Sequence, residues 1–465
     1  VLFVNPRAES KIRQGVTTEV VGQDGSSVGL WTDEAAASIS EDYRARYGVE
    51  LGFRDLGGFY RTLEQRSTAV NLTSMIGAGS IRRFVVGNDN RPPTDAELAR
   101  MVELVRAALG TGICGLSTGL EYTPGGFATR DELVALAEPL RGTGLPYASH
   151  MRNEDDELFA SVEEAIAIGR FAGTPVQISH LKAQGERNWW KAEPVLATIE
   201  RARAAGTDVM FDRYPYIAYA TGITNLFPIW TLDGGTRAFL QRIQDPALRP
   251  RIEAAVRDKI MELGSWDAIQ ITSTSTDELA WLRGKRLGAA AKERGKEPFA
   301  FLLEVTLADE ARTGTVGFGM SEEGTALMLA HPLCMICSDA GARATYGPLA
   351  QGAPHPRTYG SFPRVLGHYC RDRKLMPLET AIHKMTGMPA KRLKLTGRGV
   401  IQPGAFADLV AFDPAAVADR ATFEQPHQYP VGITHVWVNG AHVIRAGEHT
   451  GALAGRVLRP SAERV

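Results

Sequence analysis

Short apolar runs bounded by glycine alternate along the chain with longer stretches whose apolar residues recur every three to four positions. Runs of strand length fall at residues 16–22, 81–87, 112–119, 145–150, 175–180, 207–212 and 333–339. Between them, residues 94–110, 129–141, 154–173 and 192–206 carry the helical period, with Thr94 and Thr129 placed as N-caps. This cadence predicts an α/β fold of parallel strands joined by crossover helices. Unusual polar residues stand at the carboxyl ends of several separate runs, which favours a (β/α)8 TIM-like barrel over an open sheet. Seven strands are found, so the first of the eight is expected to be absent.

Two segments depart from that rhythm. Residues 232–310 are charge-rich, with helices predicted at 252–263, 279–292 and 298–308, and are too long for an ordinary connection. They read as an inserted helical subdomain or lid. Past Arg398, short runs at 399–403, 407–412, 433–438 and 442–444, with turns at Pro403–Gly404 and Asn439–Gly440, predict a small β unit. The expected units are therefore a barrel over 1–397, an insert at 232–310 within it, and a terminal unit at 398–465.

Charge and composition remove several function classes. The 52 basic and 53 acidic residues leave a net charge of −1, with no global field for a polyanion, so no nucleic-acid partner is expected. No run approaches the roughly 20 apolar residues that span a bilayer, so no membrane role is expected. Four cysteines (Cys114, Cys334, Cys337 and Cys370) are too few to staple 465 residues and read as reduced packing thiols. Cys334 and Cys337 lie three apart in one run, on opposite faces of a strand, which argues against a shared metal. The chain opens in mid-pattern at Val1, so the natural N-terminus and any targeting or secretion signal are expected upstream. A cytoplasmic location is favoured.

The candidate chemistry sits at the strand ends. His150 and His180 each close an apolar run, and the 30 residues between them equal one strand-helix repeat. Adjacent barrel strands would bring both imidazoles to the mouth, a natural divalent-metal site. One histidine at a strand end is ordinary; two in register are not. Asp339 ends the last run, where a bare carboxylate would be costly to bury unless a metal or water met it. Its alternative is a loop or N-cap aspartate. Asp24 follows the first run and could face the same mouth, or simply form a turn before Gly25.

Asp24, His150, His180 and Asp339, with segments 112–126, 180–182, 212–216 and 355–362, resemble the N-acyl-D-amino-acid deacylase (D-aminoacylase) family of the amidohydrolase superfamily. The resemblance runs from Lys11 onward and includes 404–414 and 419–429 in the terminal unit. It implies a distorted metal-dependent hydrolase barrel with a small β-sandwich built from both chain ends. The implied activity is hydrolysis of N-acyl-D-amino acids to a carboxylate and a free D-amino acid, with a small-molecule N-acyl amino acid as the partner. It further implies that Asp24, His150, His180 and Asp339 hold one or two divalent ions, most readily zinc, and that Asp339 moves the proton. Tyr122, Lys182, Tyr214 and Arg357 are implied as the substrate-binding residues, which suits a free α-carboxylate.

Three departures from the family pattern are visible. Its His-x-His pair would precede Val1. Asp24, a harder donor that admits Mn²⁺ or Co²⁺, stands where better-known members carry a metal-binding cysteine. The loop at 77–79 lacks the family's histidine. His331, His355 and His427 adjoin prolines and read as turn or packing residues. Two other readings stay open: a cyclic-amide hydrolase of the dihydropyrimidinase type and a non-catalytic barrel scaffold. The first uses a bridging carboxylated lysine, and no lysine stands near Asp24.

Overall fold

A computed structural model describes residues 1–460. Its strands are β1 (Thr18–Val21), β2 (Asn71–Ser74), β3 (Ile76–Gly77), β4 (Leu116–Gly119), β5 (Tyr147–His150), β6 (Val176–Ile178), β7 (Val209–Arg213), β8 (Ala218–Gly222), β9 (Ile269–Ser273), β10 (Gly314–Phe318), β11 (Cys334–Ile336), β12 (Leu409–Phe412), β13 (Ile433–Val438), β14 (Ala441–Arg445) and β15 (Glu448–His449). β1 pairs in parallel with β2, and β3, β4, β5, β6, β7 and β11 form a six-stranded parallel sheet in that order. β2 and β3 flank Met75 and fill one place, because Met75 N–H donates to Val21 O (2.9 Å) while Cys114 N–H donates to Ser74 O (2.9 Å). The result is a TIM-like row of parallel strands, with helices such as Asp95–Thr111, Leu158–Ala172 and Ala192–Ala204 on its outer face.

Strand register brings the chemistry to one rim. Gly119 lies opposite His150, and Ser149 opposite Ile178, so the carboxyl ends of β4, β5 and β6 are level. Side chains on both faces are buried, as crossover helices require: all four residues of β2, β4 and β5 are inaccessible. Thr94 caps its helix with the reciprocal Glu97 contact, and Thr129 accepts from Glu132 N–H (3.3 Å).

One expected strand is a helix. Residues 81–85 of the run at 81–87 fall in the helix Ala78–Val85, with Ile81 facing the core and Arg82 buried against Glu132 at 2.6 Å. The barrel position belongs instead to β2 and β3, whose polar Asn71, Thr73 and Ser74 disguise a fully buried strand. Asn71 is satisfied from the terminal unit, its Oδ1 accepting from Asn439 Nδ2 (2.7 Å) and Arg456 N–H (3.0 Å).

The stretch between β7 and β11 contains the helices Arg249–Glu262 and Pro298–Ala308. It also contains a three-stranded antiparallel sheet, ordered β8-β10-β9, that a helical reading of 232–310 did not foresee. The helix expected at 279–292 is broken: Gly284 adopts φ +89°, its N–H donates to Ile271 O (2.7 Å), and only Leu287–Glu293 is α-helical. This region has its own core around Phe239, Val256, Ile271 and Phe299. The terminal sheet runs β12-β13-β14-β15, all antiparallel, and no strand forms at 399–403. The last five residues of the unit expected at 398–465 lie outside the described residues. Among the described residues, no helix is long and apolar enough to cross a membrane.

Candidate metal centre and substrate pocket

The rim residues converge. His150 is the last residue of β5, and His180 lies two residues beyond β6. Both rings are buried, with His150 Nδ1 only 2.9 Å from His180 Nε2. Asp24, three residues past β1, places Oδ1 3.5 Å from the same His180 Nε2. Ligand atoms of Asp24, His150 and His180 all lie within 4.8 Å of one another. The loop bearing Asp24 reaches them because two neighbours lack side chains: a Cβ on Gly119 would meet Asp24 O at 2.1 Å, and one on Gly77 would meet Gly25 O at 2.4 Å.

Backbone strain marks the same residues. Asp24, His180 and Asp339 adopt φ of +53°, +36° and +46°. Each such non-glycine conformation costs on the order of 1–3 kcal/mol and persists where surrounding contacts impose it. For His180 the contact is Asp212, whose Oδ1 accepts from His180 N–H at 2.8 Å.

Two carboxylates that pattern reading passed over complete the surroundings. Glu154 is buried, with Oε2 2.5 Å from Lys182 Nζ and Oε1 3.1 Å from His180 Nδ1. Glu121, two residues past β4, sets Oε2 3.3 Å from His150 Nε2 and accepts from Asn225 Nδ2 at 3.3 Å. Glu121, His150 and Glu154 form a second group of possible ligands that shares His150 with the first. Glu121 was findable, since it obeys the strand-end rule that singled out His150. Glu154 was not, because it is fixed by a loop.

The electrostatics suit a cation. Burial would raise the Asp24 carboxyl, but His180 and the other nearby positive charges hold it down at about 2. Burial likewise opposes ionisation of Glu154, yet Lys182, His150 and His180 keep it well below the usual range. Burial and the Lys182 amine press the His180 imidazole down, but Asp339, Glu154 and Asp24 outweigh them and hold it well above its ordinary value. Asp24 Oδ1 is buried without a hydrogen bond, and Glu154 Oε1 has the His180 imidazole beside it at 3.1 Å. Two imidazole nitrogens and an unsatisfied hard oxygen are what a divalent ion requires.

The other expected residues lie beside this centre. Asp339 belongs to neither ligand group; its Oδ2 is 2.6 Å from Arg357 Nη1. The Arg357 guanidinium lies 4.7 Å from the Tyr214 ring centroid, and the Tyr214 ring 6.3 Å from that of His180. Tyr214 Oη is buried with no hydrogen-bonding partner, and the charge of Arg357 Nη1 is met by Asp339. Tyr122 packs 4.7 Å from the His150 ring and accepts from Thr221 Oγ1 at 3.4 Å. Lys182 is buried, its Nζ donating to Glu154 Oε2 and lying 2.8 Å from His180 Nδ1. His355 is a packing residue, its Nε2 2.9 Å from Ala218 O. All four cysteines are free thiols; burial pushes Cys334 up to about 12, and Cys337, beside Asp212 and Asp339, well above its usual value.

Comparison with known proteins places this chain in a family. The chain is 37% identical over 461 residues to a D-aminoacylase of Alcaligenes xylosoxydans xylosoxydans, an alignment covering 97% of this chain and 83% of that protein. The chain belongs to the N-acyl-D-amino-acid deacylase (D-aminoacylase) family. The broader amidohydrolase family matches residues 272–444. The N-acyl-D-glutamate deacylase of Bordetella bronchiseptica, solved with zinc and a phosphonate mimic of the tetrahedral intermediate, superposes with a TM-score of 0.81. It is 33% identical, with 99% of this chain and 86% of that chain covered. An L-hydantoinase from Arthrobacter aurescens is only 13% identical (TM-score 0.52, covering 98% of this chain and 83% of that one) and shares the fold alone. Membership in the deacylase family accounts for the (β/α)8-type barrel and the terminal sheet.

Proposed function

We propose that this protein is a metal-dependent hydrolase that cleaves N-acyl-D-amino acids to a carboxylate and a free D-amino acid. The observation that carries this reading is the pairing of two buried sets of groups: the carboxylates of Asp24 and Glu154 around His150 and His180, and beside them the Arg357 guanidinium with the unpartnered Tyr214 hydroxyl. The first set calls for a cation and the second for an anion. An N-acyl amino acid offers its amide carbonyl to one and its α-carboxylate to the other. The names of the relatives support the D-configuration.

His150, His180 and Asp24 would hold the ion, with zinc favoured by the imidazoles and Mn²⁺ or Co²⁺ admitted by the aspartate. When bound, the ion supplies Lewis acidity, polarising the amide carbonyl and acidifying water. Arg357 and Tyr214 fix the α-carboxylate, and Tyr122 lines the wall beside His150. Asp339 accepts a proton from the attacking water and returns it to the amide nitrogen, which otherwise leaves poorly. Arg357 spans both tasks, because the cation that binds the substrate also holds Asp339 at 2.6 Å. The barrel over 1–397, the insert at 232–310 and the terminal unit from 398 are proposed as the working division of the chain, in the cytoplasm.

The test is a metal assay and a substrate screen on the purified protein. Stoichiometric divalent metal and release of amino acid from N-acetyl-D- but not N-acetyl-L-amino acids are expected. Ring opening of hydantoins in preference to linear amides would overturn the substrate assignment. A metal-free, inactive protein after incubation with zinc, manganese and cobalt would favour a scaffold.

A further inference from the structure

Asp339 sits in a stretch with few anchors. Cys337 N–H donates to Arg213 O (3.2 Å) as the last tie to β7, and the next anchor is Arg343, joined to Ser10 by bonds of 2.9 and 2.8 Å. Residues 338–342 between them belong to no helix or strand. The Asp339 backbone is left-handed, and the ion-pair partner of its carboxylate among the described residues is Arg357.

One side chain reaches across this gap. Lys11, on the short helix Glu9–Ile12, donates from Nζ to Ser338 Oγ at 2.7 Å and to Ala340 O at 2.5 Å. These acceptors flank Asp339 on either side. Lys11 is completely buried, with the Glu19 carboxylate as its charged neighbour at 3.8 Å. Burying an ammonium is costly unless its hydrogen bonds are satisfied. Neutral groups dock a helix without that cost, as Ser10 does here, its N–H donating to Arg343 O and its Oγ accepting from Arg343 N–H. The ammonium offers three donors radiating from one point, so it can bridge two residues while leaving the one between them free to meet Arg357.

We propose that Lys11 is a positioning residue for Asp339: by holding Ser338 and Ala340 it fixes the left-handed turn between them and aims the carboxylate at Arg357 and the metal centre. This rests on reading Asp339 as the proton carrier. Misplacing a reacting group by about 1 Å costs about 10²-fold in rate. Lys11→Met in the metal-loaded full chain is therefore expected to lower kcat about 10²-fold with KM and metal content unchanged.

A double-mutant cycle with Asp339→Asn separates this role from general stabilisation. If Lys11 acts through Asp339, adding Lys11→Met to Asp339→Asn produces no further loss; an equal loss in both backgrounds overturns the proposal. Hydrogen exchange on the metal-free protein gives a readout that does not depend on activity. Faster exchange of the amides at 338–341 in Lys11→Met is expected, and unchanged exchange overturns the proposal. If Lys11→Met does not fold, Ser338→Ala removes one of the two bonds without emptying the lysine site and enters the same cycle. Full activity in Asp339→Asn would defeat the proton-carrier reading itself, and with it the catalytic purpose of the clamp. Exchange at 338–341 would still report whether Lys11 holds the segment, so the two failures are distinct.

Discussion

Replacing Glu154 by glutamine keeps its shape and removes its charge. Two effects follow from its contacts. Lys182 Nζ, 2.5 Å away and 2% exposed, loses its counter-ion inside the protein. Breaking a buried pair from one side costs about 3–5 kcal/mol, and the amide oxygen of glutamine can still accept one bond, so about 3 kcal/mol is expected. The second effect acts on His180, whose Nδ1 lies 3.1 Å from Glu154 Oε1 while Nε2 faces Asp24 and His150. A carboxylate behind a ligating imidazole is worth about 10–100-fold in metal affinity. The assays are the chemical-denaturation midpoint of the metal-free protein and a chelator competition for zinc. Because the folded Glu154 carboxyl titrates well below its unfolded value of 4.5, its contribution is present above that pH and lost on acidification. Wild type and variant should therefore converge as the pH falls. The apolar double variant Glu154→Leu/Lys182→Met should regain most of the deficit. A loss under about 0.5 kcal/mol, the range of an ordinary surface change, together with unaltered zinc affinity would refute the reasoning.

Three further outcomes are expected. Arg357→Lys should raise KM for N-acyl-D-amino acids about 10-fold, because lysine cannot grip a carboxylate with a planar fork, while the matching carboxamides, turned over slowly, should show little change. Adding zinc to metal-free protein at pH 7 in weak buffer should release about one proton, since the surrounding carboxylates hold one on His180; release of none would contradict the electrostatics described. Burial pushes the Glu262 carboxyl up to about 8, with Lys259 only partly offsetting it, so its folded form binds the proton more tightly than the unfolded one. That contribution is complete below 4.5 and lost as pH rises through about 8. Glu262→Gln should match wild type in acid and melt higher than wild type in base.

The alternation of strand-length runs with helical stretches, and polar residues at run ends, pointed His150 and His180 to one rim and offered Asp24 and Asp339 as candidates beside them. Those features are local: side-chain period follows from backbone geometry, and in parallel α/β folds the carboxyl ends of all strands share a side. The same local rule erred at 81–87, where Ile81 and Val85 satisfy a helix as well as a strand and the true strand at Asn71–Ser74 carries polar residues. It also missed β8, β9 and β10, whose partners are far away in sequence.

Which groups the rim residues touch was decided only in three dimensions. Glu154 turns back to His180 through a loop, Lys182 spends its charge there, and Arg357 arrives from a helix after the last barrel strand to meet Asp339. Lys11 looks like a surface lysine in sequence and is fully buried in the fold. Periodicity reports which face a side chain leaves from. The meeting point of charges from distant segments depends on left-handed turns at Asp24, His180 and Asp339, and those turns are imposed by tertiary contacts that no short window of sequence contains.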